Sequence, residues 1–155
     1  GGWVDQAQYV ADLFLDQGEV CYTVFRDGSE DHYSYTTKDG KTDISLVILV
    51  NENSASASEI LTGALRERAD ATVVGVTTYG KGIMQAVIPV GEDAGMQITI
   101  AEYFTPSGYK VHKIGIVPDV EIPLEEGDNG SYDFADAEND PQLKKALEVM
   151  VEKLK

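Results

Sequence analysis

Apolar residues recur at three- and four-residue steps through Val4, Ala7, Val10, Ala11, Phe14 and Leu15, the spacing that lines one stripe of an α-helix. A first helix is predicted here, closing near Gly18. Glu19 to Phe25 and His32 to Thr36 are rich in β-branched and aromatic residues; Asp27-Gly28 lies between them and Lys38-Asp-Gly-Lys41 behind them. They predict hairpin-like strands. Leu46 to Val50 is apolar at every position, which suits a central, covered strand of the parallel type. Helix 57–68 follows, with Ile60, Leu61, Ala64 and Leu65 on its inner face, and Ala71 to Val76 is again strand-like. Leu46 to Val76 is thus expected to form one β-α-β unit with a right-handed crossover.

Ile83 to Val90 and Met96 to Phe104 predict two further strands around the turn-prone stretch Gly91 to Gly95. Thr105-Pro-Ser-Gly108 is another turn, and Pro118 marks Gly115 to Asp119 as an edge or irregular segment. Residues 125–140 carry Glu125, Glu126, Asp128, Asp133, Asp136, Glu138 and Asp140 with few aliphatics, the composition of a flexible acidic connector. A terminal helix then runs from Pro141 to Val151, with Asp140 as N-cap and proline at the first helical position. The chain divides as 1–124, the connector 125–140, and 141–155.

Length and charge narrow the classes. The chain has 155 residues, 43% of them hydrophobic, enough for one core. Twenty-seven acidic residues against 12 basic give a net charge of −15, a field that repels nucleic acid and anionic membrane. The lone Cys21 excludes an internal disulfide and leaves the compartment open. No stretch approaches the roughly 20 apolar residues of a membrane span, and no signal segment opens the chain. It begins Gly1-Gly2-Trp3 without a methionine, so a fragment of a longer protein is expected.

The candidate chemistry sits behind the smoothest strand. Ser54, Ser56 and Ser58 alternate there, at a helix start whose unpaired amides and positive dipole end lie alongside. Ser56-x-x-Glu59 also matches a capping box, so on this stretch alone capping and nucleophilic roles are both open. Lys81 stands between Gly80 and Gly82. Glycines permit close backbone approach and unusual conformations, so this lysine can be steered inward on a tight turn. Serine needs a base, and a desolvated lysine can serve because burial favours its neutral form. Gln85, four residues on, shares a strand face with Lys81. Its amide oxygen can accept from the lysine nitrogen, or it is simply an outward polar residue. His32 lies in a polar hairpin and His112 between Lys110 and Lys113 in a basic stretch, so neither has an obvious catalytic setting. No metal-ligand spacing is visible.

Together these residues resemble the carboxyl-terminal processing, or tail-specific, serine peptidases. The resemblance runs through Gly1-Gly2 with Ala11-Asp-Leu-Phe-Leu15, Val47-Ile-Leu-Val-Asn51 with Ser54-Ala-Ser-Ala-Ser-Glu-Ile60, Gly80-Lys-Gly82 with Gln85, Thr105-Pro-Ser-Gly108, Gly115-Ile-Val-Pro-Asp119, and Asp140 with Gln142-Leu143. It implies a crotonase- or Clp-protease-like α/β core with a mixed sheet, here its carboxyl half, truncated at the N-terminus. It implies Ser56 as nucleophile, Lys81 as base and Gln85 as the residue that orients the lysine. The oxyanion hole would come from the amide of Ala57 and from Gly1 or Gly2, although the proline that usually precedes this glycine pair is absent. No cofactor is implied. The partners implied are protein or peptide substrates with free C-termini and a PDZ domain in the full-length parent; oligomeric assembly stays open. The implied compartment is outside the cytoplasm: periplasm, cell envelope or secreted. Two other readings are a noncatalytic ligand-binding module on the same core and a Ser-Lys amidase or esterase acting on small molecules.

Overall fold

The computed structural model describes residues 1–35, 42–123 and 139–155. Thr36, the turn at 38–41 and connector residues 125–138 lie outside the described residues. Helix α1 (Val4–Asp12) leads into strands β1 (Gly18–Phe25) and β2 (Glu30–Tyr35), then β3 (Val47–Val50), helix α2 (Ala57–Arg68) and β4 (Thr72–Gly75). Strands β5 (Ile83–Pro89), β6 (Gly95–Phe104) and β7 (Val120–Glu121) and helix α3 (Pro141–Lys153) complete the order.

Two sheets form. One is antiparallel in the order β2-β1-β6-β5, and the other is parallel in the order β3-β4-β7. The β-α-β unit is present, with Val47 opposite Thr72 and Val50 opposite Gly75. Its central strand is β4, however. Val73 and Val74 are both fully buried, whereas β3 lies at the edge of its sheet among the described residues and Leu49 is 42% exposed. An unbroken apolar run reports that both faces of a strand meet protein, and says nothing about which strands pair with its edges.

Helix α2 is the hub, touching α1 and both sheets. Ile60, Ala64 and Leu65 are buried in the core with Leu15, Val20 and Ile116, and Leu61 packs against its margin. Each such aliphatic side chain taken fully out of water contributes about 1.5–3 kcal/mol. At the helix's far end the Arg68 guanidinium donates to the carbonyls of Glu19 at 2.8 Å and Asp16 at 3.1 Å, tying α2 to the α1–β1 connection. Helix α1 itself stops at Asp12, earlier than its apolar stripe predicts. The stripe continues through a tightened last turn, in which the amides of Phe14 and Leu15 both donate to the Ala11 carbonyl, and it still buries Leu15. Helix α3 starts as its cap residues require: Asp140 Oδ1 accepts from the Leu143 amide at 2.9 Å. Among the described residues no helix is long and apolar enough to cross a membrane.

Candidate functional site

The turn from β3 into α2 sorts the three serines. The Ser54 hydroxyl is used locally, accepting from the Asn51 amide at 3.2 Å. Ser56 is the N-cap of α2 at φ 56° and ψ −119°, a backbone region that costs a non-glycine residue on the order of 1–3 kcal/mol and is held only when its surroundings over-determine it. The capping-box pairing with Glu59 is made through the backbone: the Ser56 amide donates to Glu59 Oε2 at 2.8 Å, and the Glu59 amide donates to the Ser56 carbonyl at 2.8 Å. Ala57, at the first helical position, has no acceptor for its amide among the described residues.

The glycines around Lys81 are explained by what presses on them. A Cβ on Gly82 would stand 2.4 Å from the His112 amide nitrogen, and one on Gly80, whose φ is +82°, would meet the amides of Gly115, Ile114 and Lys113 at 3.0–3.3 Å. The Lys113 amide donates to the Gly80 carbonyl at 2.9 Å. No side chain larger than hydrogen fits at either position while the 112–115 segment lies against the loop, and that packing fixes the backbone of Lys81.

One buried acid joins the two loops. Glu59 has no exposed surface. Its Oε1 accepts from Thr78 Oγ1 at 2.5 Å and the Gly80 amide at 2.7 Å; its Oε2 accepts from the Ser56 amide at 2.8 Å and the Lys81 amide at 2.9 Å. A buried carboxylate needs such donors to offset the loss of water, and two of the four are the backbone amides of the residues singled out for chemistry, Ser56 and Lys81. The hydroxyl of the buried Tyr103 reaches the Lys81 carbonyl, the Ser56 carbonyl and Glu59 Oε2 in the same place.

Ser56, Lys81 and Gln85 line one cavity of about 240 Å³, walled by Val4, Cys21, Ile60, Ile83, Met84 and Tyr103. On its other side Lys81 borders an open cleft of about 740 Å³ with Tyr79, His112 and Lys113. The Lys81 side chain is exposed, so the described residues alone do not supply the dry surroundings expected for a neutral amine. The Gln85 oxygen accepts from Gln97 Nε2 at 3.1 Å, and no Gln85–Lys81 hydrogen bond is made among the described residues. Gly1 packs on the same turn, its would-be Cβ lying 2.7 Å from the Ala55 carbonyl oxygen and 3.6 Å from Ser56 Cβ, whereas Gly2 has open space around it.

Other reactive groups are engaged or buried. His32 is held by Glu19 at 2.5 Å and Glu30 at 3.3 Å, and the Glu19 hydrogen bond raises its pKa. Burial, reinforced by the charges of Glu19 and Asp31, pushes the Cys21 thiol up to about 12, so it remains neutral in the cavity wall. No group of three or more His, Cys, Asp or Glu among the described residues is placed to hold a metal ion. A groove of about 440 Å³ between Val24–Arg26 and Thr99–Phe104 contains neither serine nor lysine.

The sequence reading missed the connecting roles of Glu59 and Tyr103. Glu59 is legible only as the far half of a capping box. The further signal is Thr62 and Gly63 at i+3 and i+4, small residues that mark a closely packed face and hence a buried acid. For Tyr103 the signal is alternation along β6, where Ala101 and Tyr103 are buried and Glu102 and Phe104 less so.

Comparison with known proteins adds the family. The model of Peptidase family S41 matches residues 1–122. A carboxyl-terminal-processing protease of Picosynechococcus sp. is 40% identical over 98% of this chain and 36% of its own length. A carboxy-terminal-processing protease of Bartonella bacilliformis is 43% identical over 90% of this chain and 33% of its own. Among solved structures, a photosystem II D1 C-terminal processing protease superposes with a TM-score of 0.72 at 35% identity, covering 79% of this chain and 32% of that one. The chain spans about a third of the length of these relatives. Its mixed α/β core is the fold of that group, and the chain belongs to peptidase family S41.

Proposed function

We propose that these residues form the carboxyl half of the catalytic core of a serine endopeptidase that cleaves protein substrates near their C-termini. One observation carries the assignment of Ser56 and Lys81: a single buried carboxylate, Glu59, accepts from the amides of both, and both side chains line one cavity. In the reaction, neutral Lys81 takes the Ser56 proton as the hydroxyl oxygen attacks the peptide carbonyl. The Ala57 amide, with Gly1 or Gly2, donates to the oxyanion of the tetrahedral intermediate. Collapse breaks the C–N bond, Lys81 returns its proton to the leaving amine, and an acyl-enzyme remains on Ser56. Lys81 then takes a proton from water, whose oxygen attacks the ester and releases the acid. Substrate seated over the exposed lysine excludes water and supplies the desolvation that favours the neutral amine. Gln85 leaves Gln97 to hold the lysine when substrate binds.

A PDZ domain elsewhere in the protein would present free C-termini, and the protein works outside the cytosol; a relative from Tetradesmus obliquus is named as chloroplastic. In the protein expressed from its complete reading frame, Lys81→Ala is expected to abolish peptide turnover with folding retained. A serine-directed phosphonate should label wild type, Ser54→Ala and Ser58→Ala but not Ser56→Ala. Labelling that survives in Ser56→Ala would refute the assignment. Equal cleavage of a peptide and its C-terminally amidated twin would favour a small-molecule amidase or esterase instead.

A further inference from the structure

Tyr103 lies near the end of β6 with its ring 4% exposed. Its backbone amide donates to the Gly82 carbonyl at 3.0 Å. Its hydroxyl turns back to make a short hydrogen bond to the Lys81 carbonyl, with the Ser56 carbonyl at 3.3 Å and Glu59 Oε2 at 3.5 Å. A phenol carries one proton. Three acceptor oxygens, from the turn before α2, from α2 itself and from the lysine loop, therefore converge on this one hydroxyl at the wall of the cavity. The Ser56 carbonyl and Glu59 Oε2 have backbone donors as well, but only this proton lies between all three and offsets their mutual repulsion. Burial, reinforced by the negative charge of Glu59, raises the pKa of the phenol, so the proton is retained wherever the protein is folded.

We propose that Tyr103 is a positioning residue whose hydroxyl proton, shared among the carbonyls of Ser56 and Lys81 and the carboxylate of Glu59, sets the separation of nucleophile and base. The proposal rests on the Ser56–Lys81 reading above and adds to it a residue whose hydroxyl bonds the backbone carbonyls of both residues and not their reacting side chains. Glu59 ties the two loops through their amides; Tyr103 ties the same loops through their carbonyls. The pair therefore holds the peptide units on both sides of Ser56 and of Lys81, which a single acceptor cannot do.

Tyr103→Phe keeps the ring in its packed place and removes only the hydroxyl. In the protein expressed from its complete reading frame, hydrogen exchange of segments 54–58 and 78–82 should accelerate by about tenfold. The rate of phosphonate labelling at Ser56 should fall on the order of 10²-fold, as expected for a misplacement of about 1 Å. Leu15→Ala, which removes core packing but no hydrogen bond to either loop, should leave both readouts near wild type under conditions where it is folded. Unchanged exchange in Tyr103→Phe would overturn the proposal whatever the labelling shows. Faster exchange with unchanged labelling would reduce the hydroxyl to a structural bond and also overturn it. Failure of wild-type protein to label at Ser56 would overturn the Ser-Lys reading instead, and the exchange data would then judge the convergence on Tyr103 alone.

Discussion

Replacing Glu59 with glutamine tests whether the buried acid assembles the site. Besides the Tyr103 hydroxyl, which reaches Oε2 at 3.5 Å, Glu59 takes four closer donors among the described residues, two on each oxygen. Glutamine offers one accepting oxygen, so one pair of donors loses its acceptor. The amide nitrogen is best accommodated toward Thr78, because that hydroxyl oxygen, which already accepts from the Ile116 amide at 2.7 Å, has a second lone pair to offer. The Gly80 amide then faces another donor. Hydrogen bonds to a charged group contribute about 1.5–3 kcal/mol each, so two lost bonds amount to about 3–6 kcal/mol. Burying a neutral amide in place of a carboxylate returns part of this, and the expected net loss is about 2–4 kcal/mol. Displacement of the Gly80–Lys81 backbone from Ser56 should lower peptide turnover on the order of 10²-fold. Denaturation midpoints at unchanged m-value give the first quantity and peptide cleavage the second. A loss below about 1 kcal/mol with unaltered turnover would show that these four bonds do not hold the site together.

Gly82→Ala places a Cβ 2.4 Å from the His112 nitrogen and 2.8 Å from its Cα, so it should destabilise by about 1–3 kcal/mol and slow labelling at Ser56; wild-type stability and labelling would refute the close approach. Cys21, with its thiol pushed up to about 12 and 1% exposed, should resist iodoacetamide at pH 8 in folded protein and react on unfolding; rapid alkylation of the folded state would contradict its burial. His32 has its folded pKa raised by Glu19, so its stabilising contribution is complete below the unfolded value of about 6.5 and fades as pH rises through the folded value. The Tm difference between wild type and His32→Asn should therefore be larger at pH 5.5 than at pH 8.5, and the reverse order would refute the pairing.

Local patterns carried most of the fold. The limits of α2 follow from Ser56, Glu59 and the spacing of Ile60, Ala64 and Leu65, and those of β5 and β6 from the glycine-bounded turn between them. The pairing of strands is less legible: β3 and β4 are both apolar, and only the parallel partners on both sides of β4 make it the central strand. Helix α1 shows a related limit, since the apolar stripe records which residues meet the core and continues past the last helical residue, Asp12. The serine and the lysine stood out because each exceeds what its local structure requires. Ser56 satisfies the capping rule, but its alternation with Ser54 and Ser58 exceeds what one cap needs, and a lysine between two glycines is a poor choice for secondary structure alone.

Glu59 breaks no local rule, which is why its larger role was hidden. A capping glutamate is expected to reach the amide three residues before it, and this one does. Nothing in a capping box requires an acid to be buried, however, and a buried acid must find more donors than one amide provides. Those donors come from Thr78, Gly80 and Lys81, 19 to 22 residues further along the chain, and they become available only when the loop after β4 folds back on the start of α2. The desolvation cost of the carboxylate thus couples two events: the acid is tolerated inside only if the lysine loop docks, and the loop's inward amides are satisfied only if the acid is there. A neutral capping residue would stabilise the helix without that second requirement. The acid at position 59 makes docking of the Lys81 loop on the Ser56 turn a condition of folding this part of the core.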